Sequence, residues 1–123
     1  MTVAARDVGI LWENAALAHL QAAGLRALQR NFTCRWGEID LIMRDGDSVV
    51  FVEVRYRRSG TRGDGIASVG AAKRAKLVRA AQVWLQAHPA LAAQPCRFDV
   101  IGCSGTPQRA VLDWTRAAFE AEF

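Results

Sequence analysis

Between Gly37 and Arg55 the hydrophobic pattern first alternates and then saturates. Ile39, Leu41 and Met43 interleave with Glu38, Asp40 and Ile42 up to an Asp45-Gly46 turn signal, and the run from Val49 to Tyr56 is then almost wholly apolar, β-branched or aromatic. This predicts an antiparallel hairpin whose second strand is covered on both faces. Glu53 and Arg55 interrupt that strand. Being two residues apart they project from one face, and a turn at Asp45 to Asp47 brings Asp40 close to Glu53.

The flanking segments read as helices and further strands. Asp7 suits an N-cap for a helix running to about Ala23, with Gly24 as its stop. Ile10, Leu17 and Leu20 mark its apolar stripe, and Glu13 falls on the same stripe, so its carboxylate either points at the sheet or bends from the stripe's edge into water. Leu25 to Cys34 predicts an edge strand. Ser68 suits the cap of a second helix from Val69 to about Ala87, closed by His88-Pro89, on which Lys73, Leu77, Ala80 and Trp84 share a face. A short irregular linker, Pro89 to Gln94, leads to a strand from Cys96 to Cys103. A turn at Gly105 to Pro107, a strand from Ala110 to Trp114 and a short terminal helix ending at Phe123 complete the chain. The expected order is α-β-β-β-α-β-β-α, a central mixed sheet of about five strands flanked by helices.

Length and charge narrow the picture a little. At 123 residues the chain reads as one domain, residues 1–123, and its net charge of +4 suits a polyanionic partner without demanding one. Cys34, Cys96 and Cys103 are odd in number, and no CxxC or HxxxH spacing accompanies them. They read as buried thiols in a reducing, cytoplasmic setting, with no zinc site. Nothing in the apolar pattern draws a membrane span.

The candidate chemistry lies in the charges of the central hairpin. Asp40 and Glu53 held together repel each other and lose hydration, so a core strand keeps them only with a counter-charge. A divalent cation meets that need. So does Arg55, whose guanidinium between two carboxylates makes a structural ion-pair cluster. Arg57, Arg58 and Arg62, set among glycines after Tyr56, form a basic loop placed to contact phosphates or simply to be solvated. Lys73, Arg74 and Lys76 crowd the start of the second helix, where the dipole is already positive, which favours a nearby anion; Arg74 and Arg79 also suit a plain solvated face. Asp99 pairs with Arg97 or faces water, or joins the acids. Trp36, just before Gly37, suits packing or stacking on an unpaired base.

With Glu13, Asp40, Glu53 and Arg55 identified, the chain resembles the UPF0102 group, typified by the YraN proteins, over nearly its whole length. The resemblance is carried by the helix with Glu13, by RNFTCRWGEIDLIMRDGDSVVFVEVRYR from Arg30 to Arg57, by the start of the second helix, by CRFDVIG and by the terminal AAF. That group is similar to archaeal Holliday junction resolvases of the restriction endonuclease-like, PD-(D/E)xK fold. The resemblance implies Mg²⁺ or Mn²⁺ held by Asp40, Glu53 and the backbone carbonyl of Val54, with Glu13 in support, and DNA as the partner, bound by a symmetric homodimer. The implied catalytic set is Glu13, Asp40, Glu53 and Arg55, and Lys73, from its place on the packed stripe of the second helix, is expected to supply a further ammonium. One departure is Arg55, where the nuclease pattern usually has Lys; arginine stays protonated and acts only as a fixed donor. Three readings follow: a metal-dependent endonuclease on structured or branched DNA, a nucleic-acid-binding module of the same fold without turnover, and an adaptor for an acidic protein.

Overall fold

The computed structural model describes residues 5–56 and 69–121. Helix α1 (Ala5–Ala22) leads into three strands, β1 (Arg26–Cys34), β2 (Gly37–Asp45) and β3 (Ser48–Tyr56). Helix α2 (Ala71–Gln86) and the single turn α3 (Pro89–Ala92) then precede β4 (Cys96–Thr106) and β5 (Arg109–Phe119). The sheet order is β1-β2-β3-β4-β5, antiparallel throughout except for the β3–β4 pair. A parallel pair needs a crossover, and α2 lies within that connection. The fold is therefore α/β, with a mixed five-stranded sheet as the pattern predicted.

The saturated strand is buried on both sides. Val49 and Phe51 join the core under α2, with Leu77, Ala80 and Trp84. Val50 and Val52 join the core under α1, with Trp12, Ala16 and Leu20. Each such side chain contributes about 1.5–3 kcal/mol by leaving water, so the two cores together clamp the helices to the sheet. Trp84 also packs edge-on to Phe51, with centroids 6.0 Å apart, and its indole N–H donates to Gln29 Oε1 at 2.8 Å, which ties α2 to the edge strand.

Several expectations are corrected. Helix α1 already includes Ala5, so Asp7 lies inside it rather than at its cap. Its buried stripe is Trp12, Ala16 and Leu20, while Ile10 is exposed; an i, i+4 line through an aromatic residue fills the concave sheet better than the line through Ile10. Helix α2 is capped by Gly70, and Ser68 lies outside the described residues. Pro89 to Gln94 is not wholly irregular, because Pro89 suits the first position of the one-turn α3. The β4–β5 turn falls at Pro107-Gln108. Gly105 belongs to β4, where its φ of +81° and the Arg109 carbonyl oxygen 2.6 Å from any added Cβ exclude other residues.

The largest correction concerns the expected terminal helix. Strand β5 continues through Ala117 and Ala118 to Phe119 instead. Between the pairs Phe98↔Phe119 and Val100↔Thr115, β4 advances by two residues and β5 by four, with Ala117 at φ 49°. Asp99 holds this bulge. Its fully buried carboxylate accepts the Ala117 N–H at 2.9 Å and the Trp114 indole N–H at 3.0 Å, and it pairs with Arg97 at 3.0 Å. Arg97 in turn reaches Asp45 at 3.0 Å, so the ion pair joins β4 to the hairpin turn. Asp99 is thus paired with Arg97 and shielded from water, and it serves as a structural anchor. Replacing Asp99 with Ala removes the acceptor of the Ala117 and Trp114 N–H groups and one partner of Arg97, and is expected to destabilise the fold by about 1–3 kcal/mol in denaturant unfolding.

Candidate metal centre

The site begins at a break in the strand alternation. Ile39 packs into the core under α2, but Leu41, two residues on, packs into the core under α1. Residues two apart on a regular strand share a face, so the alternation must break at Asp40. The β2–β3 ladder runs from Asp45↔Ser48 only as far as Leu41↔Val52. Just beyond that last rung, Asp40 Oδ2 accepts the Val54 N–H at 2.8 Å. A side chain thus takes over from the backbone ladder where the strands part.

Each neighbouring element delivers one charge to this fork. Val54 packs into the core under α1, so Glu53 and Arg55, on either side of it, face α2. Lys73, in the first turn of α2, meets them there. Arg55 Nη1 and Lys73 Nζ lie 3.4 and 3.5 Å from the same atom, Glu53 Oε1. From the other side, α1 is seated by Trp12, whose ring stacks on Tyr56 with centroids 5.1 Å apart. That places Glu13, the next residue, over β1 and β2. Arg30 Nη2 stands 3.8 Å from Glu13 Oε1 and also donates to Asn14 Oδ1 at 2.7 Å.

One carboxylate oxygen from each of Glu13, Glu38 and Asp40 lies within 4.8 Å of the others. Glu38 was not among the residues expected from sequence, although its place two before Asp40 on an alternating strand was the available signal. Two ionised carboxylates at this separation repel by about 3.5 kcal/mol at an effective dielectric near 20, so the cluster demands protons or a cation. Burial first, and then the charges of Glu53, Glu13 and Glu38, push the Asp40 pKa up to about 7 against the opposing Val54 N–H. Glu53 is raised as well, by burial, with Lys73 and Arg55 acting against the shift. Asp40's charge also adds to burial in lifting the Cys103 thiol to about 12, leaving it an unreactive core residue.

Among the described residues Glu53 Oε2 and Glu13 Oε1 are both buried and neither has a hydrogen-bond partner, Arg30 standing 3.8 Å from the Glu13 oxygen. A buried carboxylate oxygen without a donor is costly, and a hard cation is the partner that suits several such oxygens at once. On the Glu13 side a cavity of about 330 Å³ is lined by Gly9, Ile10, Glu13, Asn31 and Glu38. The residues present therefore fit a hard, oxygen-ligated divalent ion.

The expected phosphate contacts are divided. Lys76 is exposed on α2. Arg74 is partly committed, donating to the Val69 carbonyl at 2.8 Å and lying over Phe119 at 5.3 Å. Arg57, Arg58 and Arg62 lie outside the described residues. Trp36 does not present a bare ring, because Arg35 and Arg79 sit 4.6 and 4.4 Å from its centroid.

A family model described as an uncharacterised protein family, UPF0102, matches residues 12–103, which includes all four acids and both cations of the site. The chain belongs to the UPF0102 family. It is 57% identical over 122 residues to a UPF0102 protein of Xanthomonas oryzae pv. oryzae (strain PXO99A), covering 99% of this chain and 98% of that one. It is 53% identical over 109 residues to a UPF0102 protein of Stutzerimonas stutzeri (strain A1501), covering 89% and 91%. A Nitrosococcus oceani UPF0102 protein shares 50% over 117 residues, covering 95% and 94%. Among the described residues no helix is long and apolar enough to cross a membrane.

The raised Asp40 pKa gives this UPF0102 chain a specific pH signature. A carboxyl that holds its proton more tightly in the folded state contributes stability below the unfolded pKa near 4, and loses that contribution as pH rises through about 7. In chelator, denaturant unfolding of Asp40→Asn should therefore show a gain over wild type above pH 7, on the order of 2–4 kcal/mol, that disappears near pH 4. Adding Mg²⁺ or Mn²⁺ at pH 8 should raise the melting temperature of wild type but not of Asp40→Asn.

Proposed function

We propose that the protein is a metal-dependent endonuclease that hydrolyses phosphodiester bonds in structured or branched DNA. The observation that carries the reading is the orphaned, buried Glu53 Oε2 beside a clustered Asp40, in a site flanked by cations. An acid on the first helix, an acid at the fork of a hairpin, an acid and a cation on its second strand, and a lysine opening the next helix also suit a restriction endonuclease-like arrangement. DNA as the substrate rests on that analogy and on the basic charge of α2.

Asp40 and Glu53, with the Val54 carbonyl, would hold the ion with Glu13 in support, and Glu38, within 4.8 Å of Glu13 and Asp40, would add a further oxygen. Mg²⁺ or Mn²⁺ bound there supplies a Lewis acid for the phosphate and an acidified water. Arg55 and Lys73, 3.4 and 3.5 Å from Glu53 Oε1, would donate to phosphate oxygens as negative charge builds on them. Arg55 remains protonated throughout, so the proton of the attacking water goes to another group. Lys73 supplies the compact ammonium that residue 55 does not.

One feature favours the second reading, a binding module without turnover. Two cations already converge on one oxygen of Glu53, and that charge balance alone stabilises the acid. Incubation of four-way, flapped and linear DNA with Mg²⁺ or Mn²⁺ separates the two. Wild type should nick or cut the branched substrates, and Asp40→Asn and Glu53→Gln should each lower the rate by at least about 100-fold. Lys73→Ala should lower it as well, with metal affinity retained. Tight DNA binding with no cutting by wild type would leave the binding module as the function.

A further inference from the structure

Helix α2 carries Lys73, Arg74, Lys76 and Arg79 and no acidic residue at all between Ala71 and Gln86. Like charges three apart on a helix repel, so this face is destabilised unless an anion approaches it. Lys73 and Arg74 have partners within the fold. Arg79 has a different arrangement. Its guanidinium lies over Trp36, and Arg35 lies over the same ring, so one indole at the β1–β2 turn fixes two cations. Among the described residues neither Arg35 nor Arg79 has a carboxylate within ion-pair distance. A cavity of about 400 Å³ bounded by Trp36 and Gln86 and one of about 700 Å³ bounded by Arg74 and Phe119 are both lined by Arg79 and Gln82. The larger one includes a single acid, Glu120. The geometry thus presents two held guanidiniums, short of counter-ions, beside an open groove.

We infer that Arg35, Trp36 and Arg79 form a second phosphate-contacting surface, which holds the backbone of a DNA arm outside the phosphate that is cut. The inference rests on the nuclease reading for its substrate. Arg79 lies six residues beyond Lys73, about 9 Å along the helix axis, which is between two and three nucleotide steps of one strand at about 3.4 Å each. Six residues also turn Arg79 about 120° around α2 from Lys73, so a strand whose reacting phosphate sits at Glu53 and Lys73 would meet Arg79 by running round the helix toward Trp36. Trp36 acts here as the holder of cations, since its ring already carries two. Guanidiniums fixed in this way lose less freedom on meeting a phosphate than free side chains do.

The test is binding of a fluorescent four-way junction and of a linear duplex in chelator, at several salt concentrations, by wild type, Arg35→Gln/Arg79→Gln and Gln82→Glu. The double variant should bind severalfold more weakly and reduce the slope of log affinity against log salt by about 2, one unit for each lost contact. Gln82→Glu leaves the Trp36 stack in place and should also weaken binding, through repulsion, which keeps the inference testable if the double variant does not fold. Unchanged affinity and slope in a folded double variant, or in Gln82→Glu if it alone folds, would overturn it. So would polyglutamate competing as well as DNA in wild type, which would assign the surface to an acidic protein. If wild type cuts DNA while the double variant binds normally, only this surface fails. Arg35- and Arg79-dependent binding without cutting would leave the surface and remove the hydrolytic reading. No binding of either DNA by wild type would remove both.

Discussion

The bond from the Val54 N–H to the Asp40 carboxylate is the constraint on which the candidate site depends. It sits where the β2–β3 ladder ends, so it decides both how far the strands separate and where Asp40 points. If β2 kept its alternation through Asp40, Ile39 would leave the core under α2 and the acid would sit on an ordinary sheet face. The break instead places one carboxylate between the two layers of the fold. The Asp40 carboxylate then lies within 4.8 Å of those of Glu13 and Glu38 and feels the charge of Glu53.

The remainder of the molecule makes that arrangement affordable in stability. Two apolar cores of independent composition hold α1 and α2 against β3, and the Asp99 anchor locks the far side of the sheet to the hairpin turn. With the scaffold secured in this way, a strained cluster of acids is tolerated, because a few kcal/mol of repulsion is spread over protons, Arg30, Arg55 and Lys73. The contrast between Asp99 and Glu53 is instructive. Both are buried acids on central strands, yet Asp99 has every oxygen satisfied by the protein, whereas Glu53 keeps one oxygen without a donor. Satisfaction marks the structural acid and its absence marks the candidate ligand.

The hairpin, its turn, the two-faced burial of β3 and the packed face of α2 were legible along the chain, because each follows from local periodicity or from a turn residue. So were the electrostatic coupling of Asp40 to Glu53, which the hairpin register implies, and the tie between Asp99 and Arg97. Glu38 stands two residues before Asp40, but the alternation breaks between them and the strand beyond, so its approach to Glu13 and Asp40 is settled by the tertiary structure.

What the chain could not reveal by itself depends on partners distant in sequence. The alanines of the final segment favour a helix locally, and they become strand because Asp99 captures the Ala117 amide and Phe98 stacks on Phe119; tertiary contacts outweigh a propensity worth tenths of a kcal/mol per residue. Arg30 reaches Glu13, and Arg79 reaches Trp36, only because two helices settle on a twisted sheet. Residue types and spacing determined which charges the protein owns and which strand carries them. The tertiary structure alone decided which of those charges find a partner, because pairing is a matter of distances that no local pattern encodes.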